Sequence, residues 1–132
     1  MTAPRRTRAA ALHVVDSSAW LEYLAGSERS TLFAEPIERQ ASLVVPVITL
    51  YEVLKKVLRE RGEHLALRIA AHMQQGRVVP VDAALALKAA TLDLPLADSL
   101  IYATAQAHGA TLWTQDAHFR GLPGVRFFAK AG

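Results

Sequence analysis

Hydrophobic and polar positions along this chain follow two patterns, short unbroken apolar runs and longer stretches with one apolar face. His13-Val14-Val15 is a run of the first kind and ends at Asp16. After Ser17-Ser18, the residues Trp20, Leu21, Tyr23 and Leu24 recur at helical spacing until Gly26 stops them. The stretch 30–40 has a helical pattern broken by Pro36, which predicts two short pieces or a kink, because proline lacks an N–H and crowds the preceding turn. Residues 43–45 predict a second buried strand, ended by Pro46. Thr49 is then expected to open a helix that runs to Gly62. Glu52 stands three residues on in the capping-box arrangement, and Leu50, Val53, Leu54, Val57 and Leu58 share one face.

Further along, a helix is predicted over 63–75, stopped by Gly76, and 77–81 is a third strand candidate. Asp82 is placed to cap the alanine-rich helix that follows. Pro95 separates that helix from another over 96–108, and Gly109 leads into a strand over 110–113. Residues 125–128 predict a last edge strand. Strands alternating with helices predict an α/β fold, a three-layer α/β/α sandwich with a mostly parallel central sheet and right-handed crossovers.

On that map four carboxylates draw together. Asp16 ends the first strand and Asp116 follows the fourth, while Glu52 and Asp98 fall in the first turns of crossover helices. Crossover helices begin at the sheet edge where parallel strands end, which is where open α/β sheets bind ligands. Each acid also has an ordinary structural role open to it. Glu52 can complete a capping box, Asp98 can complement a helix dipole, and Asp16 and Asp116 can cap the turns after them. Four carboxylates at one edge would raise one another's pKa unless cations compensate. Hard oxygen donors of this kind select Mg²⁺ or Mn²⁺, one or two ions, and the reaction class is metal-assisted hydrolysis of a phosphodiester.

Composition narrows the alternatives. At 132 residues and 52% hydrophobic, the chain suits one domain with a single well-buried core. It has no cysteine, so any metal must sit on oxygen or imidazole. Arg5, Arg6 and Arg8 account for the whole formal charge of +3. Residues 1–12 therefore read as a basic, disordered tail before a domain over 13–132. No apolar run approaches the roughly 18 residues of a membrane helix, so a soluble cytoplasmic protein is expected. There is no glycine-rich phosphate loop and no nucleophile elbow. Of the five histidines none shows ligand spacing, and His118, the one near the acids, is not expected to take part.

Four segments together resemble a known family. They are Val14-Val15-Asp16-Ser17-Ser18-Ala19, Thr49-Leu50-Tyr51-Glu52-Val53, Leu96-Ala97-Asp98-Ser99-Leu100-Ile101-Tyr102-Ala103-Thr104-Ala105, and Leu112-Trp113-Thr114-Gln115-Asp116-Ala117-His118-Phe119. In order, spacing and length this set is similar to the PIN-domain ribonucleases, and more narrowly to the toxin half of VapBC toxin–antitoxin pairs. The resemblance implies that Asp16, Glu52, Asp98 and Asp116 bind Mg²⁺ or Mn²⁺ and position water for cleavage of RNA. It implies supporting roles for Thr114 and Ser18, a homodimer, and a VapB-like antitoxin whose C-terminal segment blocks the site. Gln115 departs from the family pattern, which often has a basic residue there. Lys55, Lys56 and Arg59, close after Glu52, and Arg120, four residues after Asp116, are candidate RNA contacts, against the plainer reading of a solvated face. The alternative function is a non-catalytic module that binds RNA or protein on the same fold.

Overall fold

Five strands lie side by side in the order β3-β2-β1-β4-β5, every neighbouring pair parallel. They are β1 (His13–Val15), β2 (Leu43–Pro46), β3 (Arg77–Val79), β4 (Thr111–Thr114) and β5 (Val125–Phe127). The computed structural model describes residues 11–130, so most of the basic tail predicted over 1–12 lies outside the described residues. Parallel strands need crossovers, and helices supply them. These are α1 (Ser17–Ala25), α2 (Thr31–Glu38), α3 (Val47–Arg61), α4 (Glu63–Met73), α5 (Ala83–Ala90) and α6 (Leu96–Ala107).

Successive residues of each central strand face opposite layers, since side chains alternate across a strand. Val15, Val45 and Trp113 pack with Trp20, Phe33, Ile37, Val53, Val57, Ile69 and Met73 from α1 to α4. Val14, Val44 and Leu112 pack on the other face with Ile101, Tyr102 and Ala105 of α6. Both faces are therefore dry, and the short strands read as unbroken apolar runs for that reason. Burial of each such side chain contributes roughly 1.5–3 kcal/mol. The result is the three-layer α/β sandwich expected from the alternation of elements.

The chain runs outward from β1 through β2 to β3, then crosses the opposite face by α5 and α6 to reach β4 on the other side of β1. The order thus reverses between β1 and β4, and that seam is where an open parallel sheet leaves a crevice at its carboxyl end. Glycine is required at two joints. Gly76 enters β3 so close to β2 that a Cβ would lie 3.0 Å from the Leu43 carbonyl oxygen and 3.1 Å from Val45 Cγ2. Gly62, at φ 92°, turns α3 directly into α4.

Two local expectations are corrected. Pro36 neither breaks nor splits its helix: α2 is continuous from Thr31 to Glu38, with Pro36 buried inside it, and one-turn 3₁₀ helices flank it at Glu28–Ser30 and Gln40–Ser42. Pro36 is the sixth of the eight residues, so its missing N–H forgoes the one intrahelical bond to the Leu32 carbonyl, and burial of the ring sets an apolar gain against that loss. Thr49 does not open α3. That helix begins at Val47 behind Pro46, with no side-chain cap, which leaves Thr49 fully buried and its hydroxyl without a hydrogen-bond partner. Two helix starts do follow their side-chain caps: in α1 Asp16 accepts from the Ala19 N–H and in α5 Asp82 from the Leu85 N–H.

An unpartnered buried hydroxyl costs about 1–3 kcal/mol, and removing it without changing shape recovers part of that. Thr49→Val is therefore expected to hold or raise stability by up to about 1 kcal/mol in urea melts. A true capping residue would instead lose about 1 kcal/mol on losing its oxygen.

Candidate active site

Asp16 leaves the end of β1 as the N-cap of α1 and is 2% exposed. Its Oδ1 accepts from the Ala19 N–H at 2.9 Å, and both carboxyl oxygens lie within reach of the Ser18 hydroxyl, at 3.0 and 3.1 Å. From the neighbouring strand, the buried Thr114 hydroxyl donates to Oδ2 at 2.5 Å. The same Thr114 oxygen accepts from the Asp116 N–H at 2.8 Å. One hydroxyl at the end of β4 thus joins the acid of β1 to the backbone of the acid that follows β4.

Asp116 caps a 3₁₀ turn, Ala117–Phe119, by accepting from the His118 N–H at 2.9 Å. That turn brings the His118 ring back over the acids. Its Nδ1 lies 2.9 Å from Asp116 Oδ1 and 3.1 Å from Asp98 Oδ2. Asp98 comes from the first turn of α6, as its sequence position predicts. Glu52 lies in the second turn of α3, one turn later than expected, because the helix starts at Val47. Its partner is Ser17, which donates to Oε1 at 2.5 Å, and not the backbone of Thr49. The four carboxylates therefore stand in two linked sets, Asp16 with Glu52 through the adjacent Ser17 and Ser18, and Asp98 with Asp116 through His118.

Electrostatics bind the sets together. Burial pushes the Asp16 carboxyl up to about 6, against the hydrogen bonds from Thr114, Ala19 and Ser18, and the charge of Asp116 adds to the rise. Burial likewise raises Asp98 to about 6, with the charges of Asp116 and Glu52 adding to it and His118 opposing. Each of these two acids thus feels the cluster as a cost.

Of the supporting residues, Ser18 and Thr114 both touch Asp16, as described. Ser17 went unread in the sequence, and His118 was noted near the acids but not expected to take part. The signal for His118 was the Asp-x-His spacing across a one-residue turn, and Ser17 had none, because its partner lies 35 positions away. Gln115 is buried, accepting from Arg29 at 3.0 and 3.2 Å and donating to Glu22 at 3.0 Å, so it ties α1 to the end of β4. The four basic candidates are exposed. Lys55 hydrogen-bonds the Tyr51 hydroxyl, Lys56 pairs with Glu60, and Arg120 stands over the Phe127 ring; no contact to the acids involves Arg59. Lys56 alone of the four lines the open groove of about 410 Å³ that runs from Ser18 and Gln115 past Arg61 and Lys130.

A divalent cation fits the donor set. Asp98, Asp116 and His118 each present one ligand atom, all within 4.8 Å of one another. His118 Nδ1 lies 2.9 and 3.1 Å from the two carboxylates, close enough that one ion could be shared among the three groups.

The family sequence model described as PIN domain matches residues 13–125. The chain belongs to the PIN-domain family. Within that family it is 37% identical over 93 residues to ribonuclease VapC4 of Mycobacterium tuberculosis, a match covering 61% of this chain and 72% of the relative. The PIN fold is shared with a toxin–antitoxin complex from Klebsiella pneumoniae at TM-score 0.75 and 23% identity, over 86% of this chain and 95% of that one. It is shared too with Mycobacterium tuberculosis VapC20, described as a sarcin–ricin loop cleaving toxin, at TM-score 0.66 and 21% identity, over 83% and 94%. Among the described residues of this PIN domain no helix is long and apolar enough to cross a membrane.

Because the folded pKa of Asp98 is raised, its carboxyl favours the fold below about pH 4 and that contribution is lost as pH rises through about 6. Asp98→Asn stays neutral throughout. In chelator, the variant is expected to be more stable than the parent by about 1 kcal/mol at pH 7.5, a value discounted for partial exposure, with the gain vanishing near pH 4. Thermal melts at the two pH values check this, and an equal or lower stability of the variant at pH 7.5 would refute it.

Proposed function

We propose that this chain is a metal-dependent endoribonuclease, the toxin of a VapBC-type pair, that hydrolyses RNA phosphodiesters in the cytoplasm. The observation that carries the reading is the gathering of Asp16, Glu52, Asp98 and Asp116 at the β1/β4 seam of a PIN domain, two of them held with raised pKa. The likeness to ribonuclease VapC4 supports the activity. Asp98 and Asp116, with Asp16 and Glu52 behind them, are the residues that would hold Mg²⁺ or Mn²⁺, one or two ions. When bound, such an ion lowers the pKa of the attacking water and offsets charge on the phosphodiester.

The protein groups have distinct tasks in this reading. Thr114 and Ser18 hold the Asp16 carboxylate at a fixed angle, and Ser17 does the same for Glu52. Fixed donors need no reorganisation when the substrate arrives. Lys56 with Arg61 and Lys130 along the groove would meet RNA phosphates, while Lys55, Arg59 and Arg120 lie farther out. The same groove, with Leu21, Leu24 and Leu65 in its wall, suits the C-terminal segment of a VapB-like antitoxin that would cover the acids. Half of Leu58 and more of Tyr51 stay exposed on α3, and Leu87 and Leu96 are still more exposed on α5 and α6, which leaves apolar area for the homodimer.

Purified protein freed of antitoxin is expected to cut structured and transfer RNAs with Mg²⁺ or Mn²⁺ and not with chelator. Asp98→Asn should lose at least about 100-fold in cleavage rate while keeping its fold by circular dichroism. Binding of RNA with no metal-dependent cuts in either protein, on RNAs that include those of the host, would leave the non-catalytic module instead.

A further inference from the structure

We infer that His118 is a ligand of the catalytic ion, and that its imidazole makes this site prefer Mn²⁺ over Mg²⁺. The inference rests on the reading that the four acids hold a divalent cation.

The ring is not placed by chance. Its backbone N–H is fixed by Asp116, which caps the turn, so the histidine and the acid form one rigid unit. Nδ1, not Nε2, faces inward, at 2.9 Å from Asp116 Oδ1 and 3.1 Å from Asp98 Oδ2. A side chain 57% exposed had open solvent to point into, yet it turns a nitrogen to the two carboxylates. The three atoms form a compact trio of two carboxylate oxygens and one imidazole nitrogen, all within 4.8 Å of one another. Asp16 and Glu52 are tied instead to hydroxyls, through Ser18, Thr114 and Ser17, and supply oxygen only. The seam therefore has two chemically different sides, one of mixed nitrogen and oxygen donors and one of oxygen alone.

Ligand type decides what the mixed side accepts. Mg²⁺ holds its waters tightly and favours oxygen; Mn²⁺ also suits oxygen but, as a first-row transition metal, tolerates an imidazole nitrogen better than Mg²⁺ does. Replacing one oxygen position by Nδ1 costs Mg²⁺ more than Mn²⁺. A histidine that only bridges two acids by hydrogen bonds would give no such selectivity and no bond between nitrogen and metal.

The test is pulsed electron paramagnetic resonance of Mn²⁺ on the tag-free full chain, beside His118→Gln and Asp98→Asn. His118 is exposed, so its replacement is not expected to disturb the fold, and thermal melts confirm that. The wild type should show nitrogen-14 modulation of a directly bonded imidazole. His118→Gln should lose it, bind Mn²⁺ at least about tenfold more weakly, and lose less affinity for Mg²⁺ in competition titrations. Mn²⁺ bound with no nitrogen coupling, insensitive to His118→Gln but weakened by Asp98→Asn, overturns the histidine ligand and leaves the metal-dependent nuclease standing. No Mn²⁺ bound by the wild type, or binding indifferent to Asp98→Asn, overturns both.

Discussion

A carboxylate buried at the end of the central strand is the constraint around which this molecule is arranged. Asp16 is nearly inaccessible, and burial of an ionised carboxyl is tolerated only with several donors around it. The donors come from three places: the first turn of α1, Ser18 beside it, and Thr114 across the strand seam. Holding Asp16 therefore fixes the register of β1 against β4, where Val15, the last residue of β1, pairs with Trp113, next to last in β4. The same contact orients Asp116 through Thr114, and Asp116 in turn orients His118. The hydrogen bonds offset only part of the cost, as the raised pKa of Asp16 records. In the proposed function a divalent cation would offset the remainder.

The caps and the proposed site are the same residues. Asp16 and Asp116 each satisfy backbone donors at the start of a helix or turn, which is the ordinary structural role for an aspartate. That role fixes both carboxylates at the carboxyl edge of the sheet. Capping and metal binding are thus not rival explanations here, because the cap sets the carboxylate's direction. The topology completes the site, since the reversal of strand order between β1 and β4 leaves the crevice open where both caps emerge.

Much of this was legible in the sequence because it is local. Short valine-rich runs that end in Asp, helices that end in glycine, and Asp82 before an alanine-rich stretch each carry their own signal, and the strand and helix order followed from them. The misreadings arose where tertiary packing overrode a local pattern. Thr49 and Glu52 have capping-box spacing, but Pro46 let the helix begin at Val47, so Thr49 turned into the core and Glu52 moved a turn on to meet Ser17. Pro36 has the mark of a breaker, yet the helix continues through it, with the ring buried and one intrahelical bond forgone. Ser17 to Glu52 and Gln115 to Arg29 join residues far apart in the chain, and no spacing rule reaches them. His118 was readable as Asp-x-His, but only the turn geometry puts its nitrogen on both acids.

The account holds that the fold concentrates carboxylates at one edge and that a divalent cation relieves them. The most direct measurement is the thermal stability of the protein at pH 7.5 as Mn²⁺ or Mg²⁺ is added to chelated samples, beside Asp116→Asn. A ligand that binds only the folded state adds about 2.7 kcal/mol at a hundred times its dissociation constant, so the melting temperature of the parent should climb steadily with metal while that of the variant barely moves. A parent whose melting temperature ignores both cations at millimolar concentration would contradict the account at its centre.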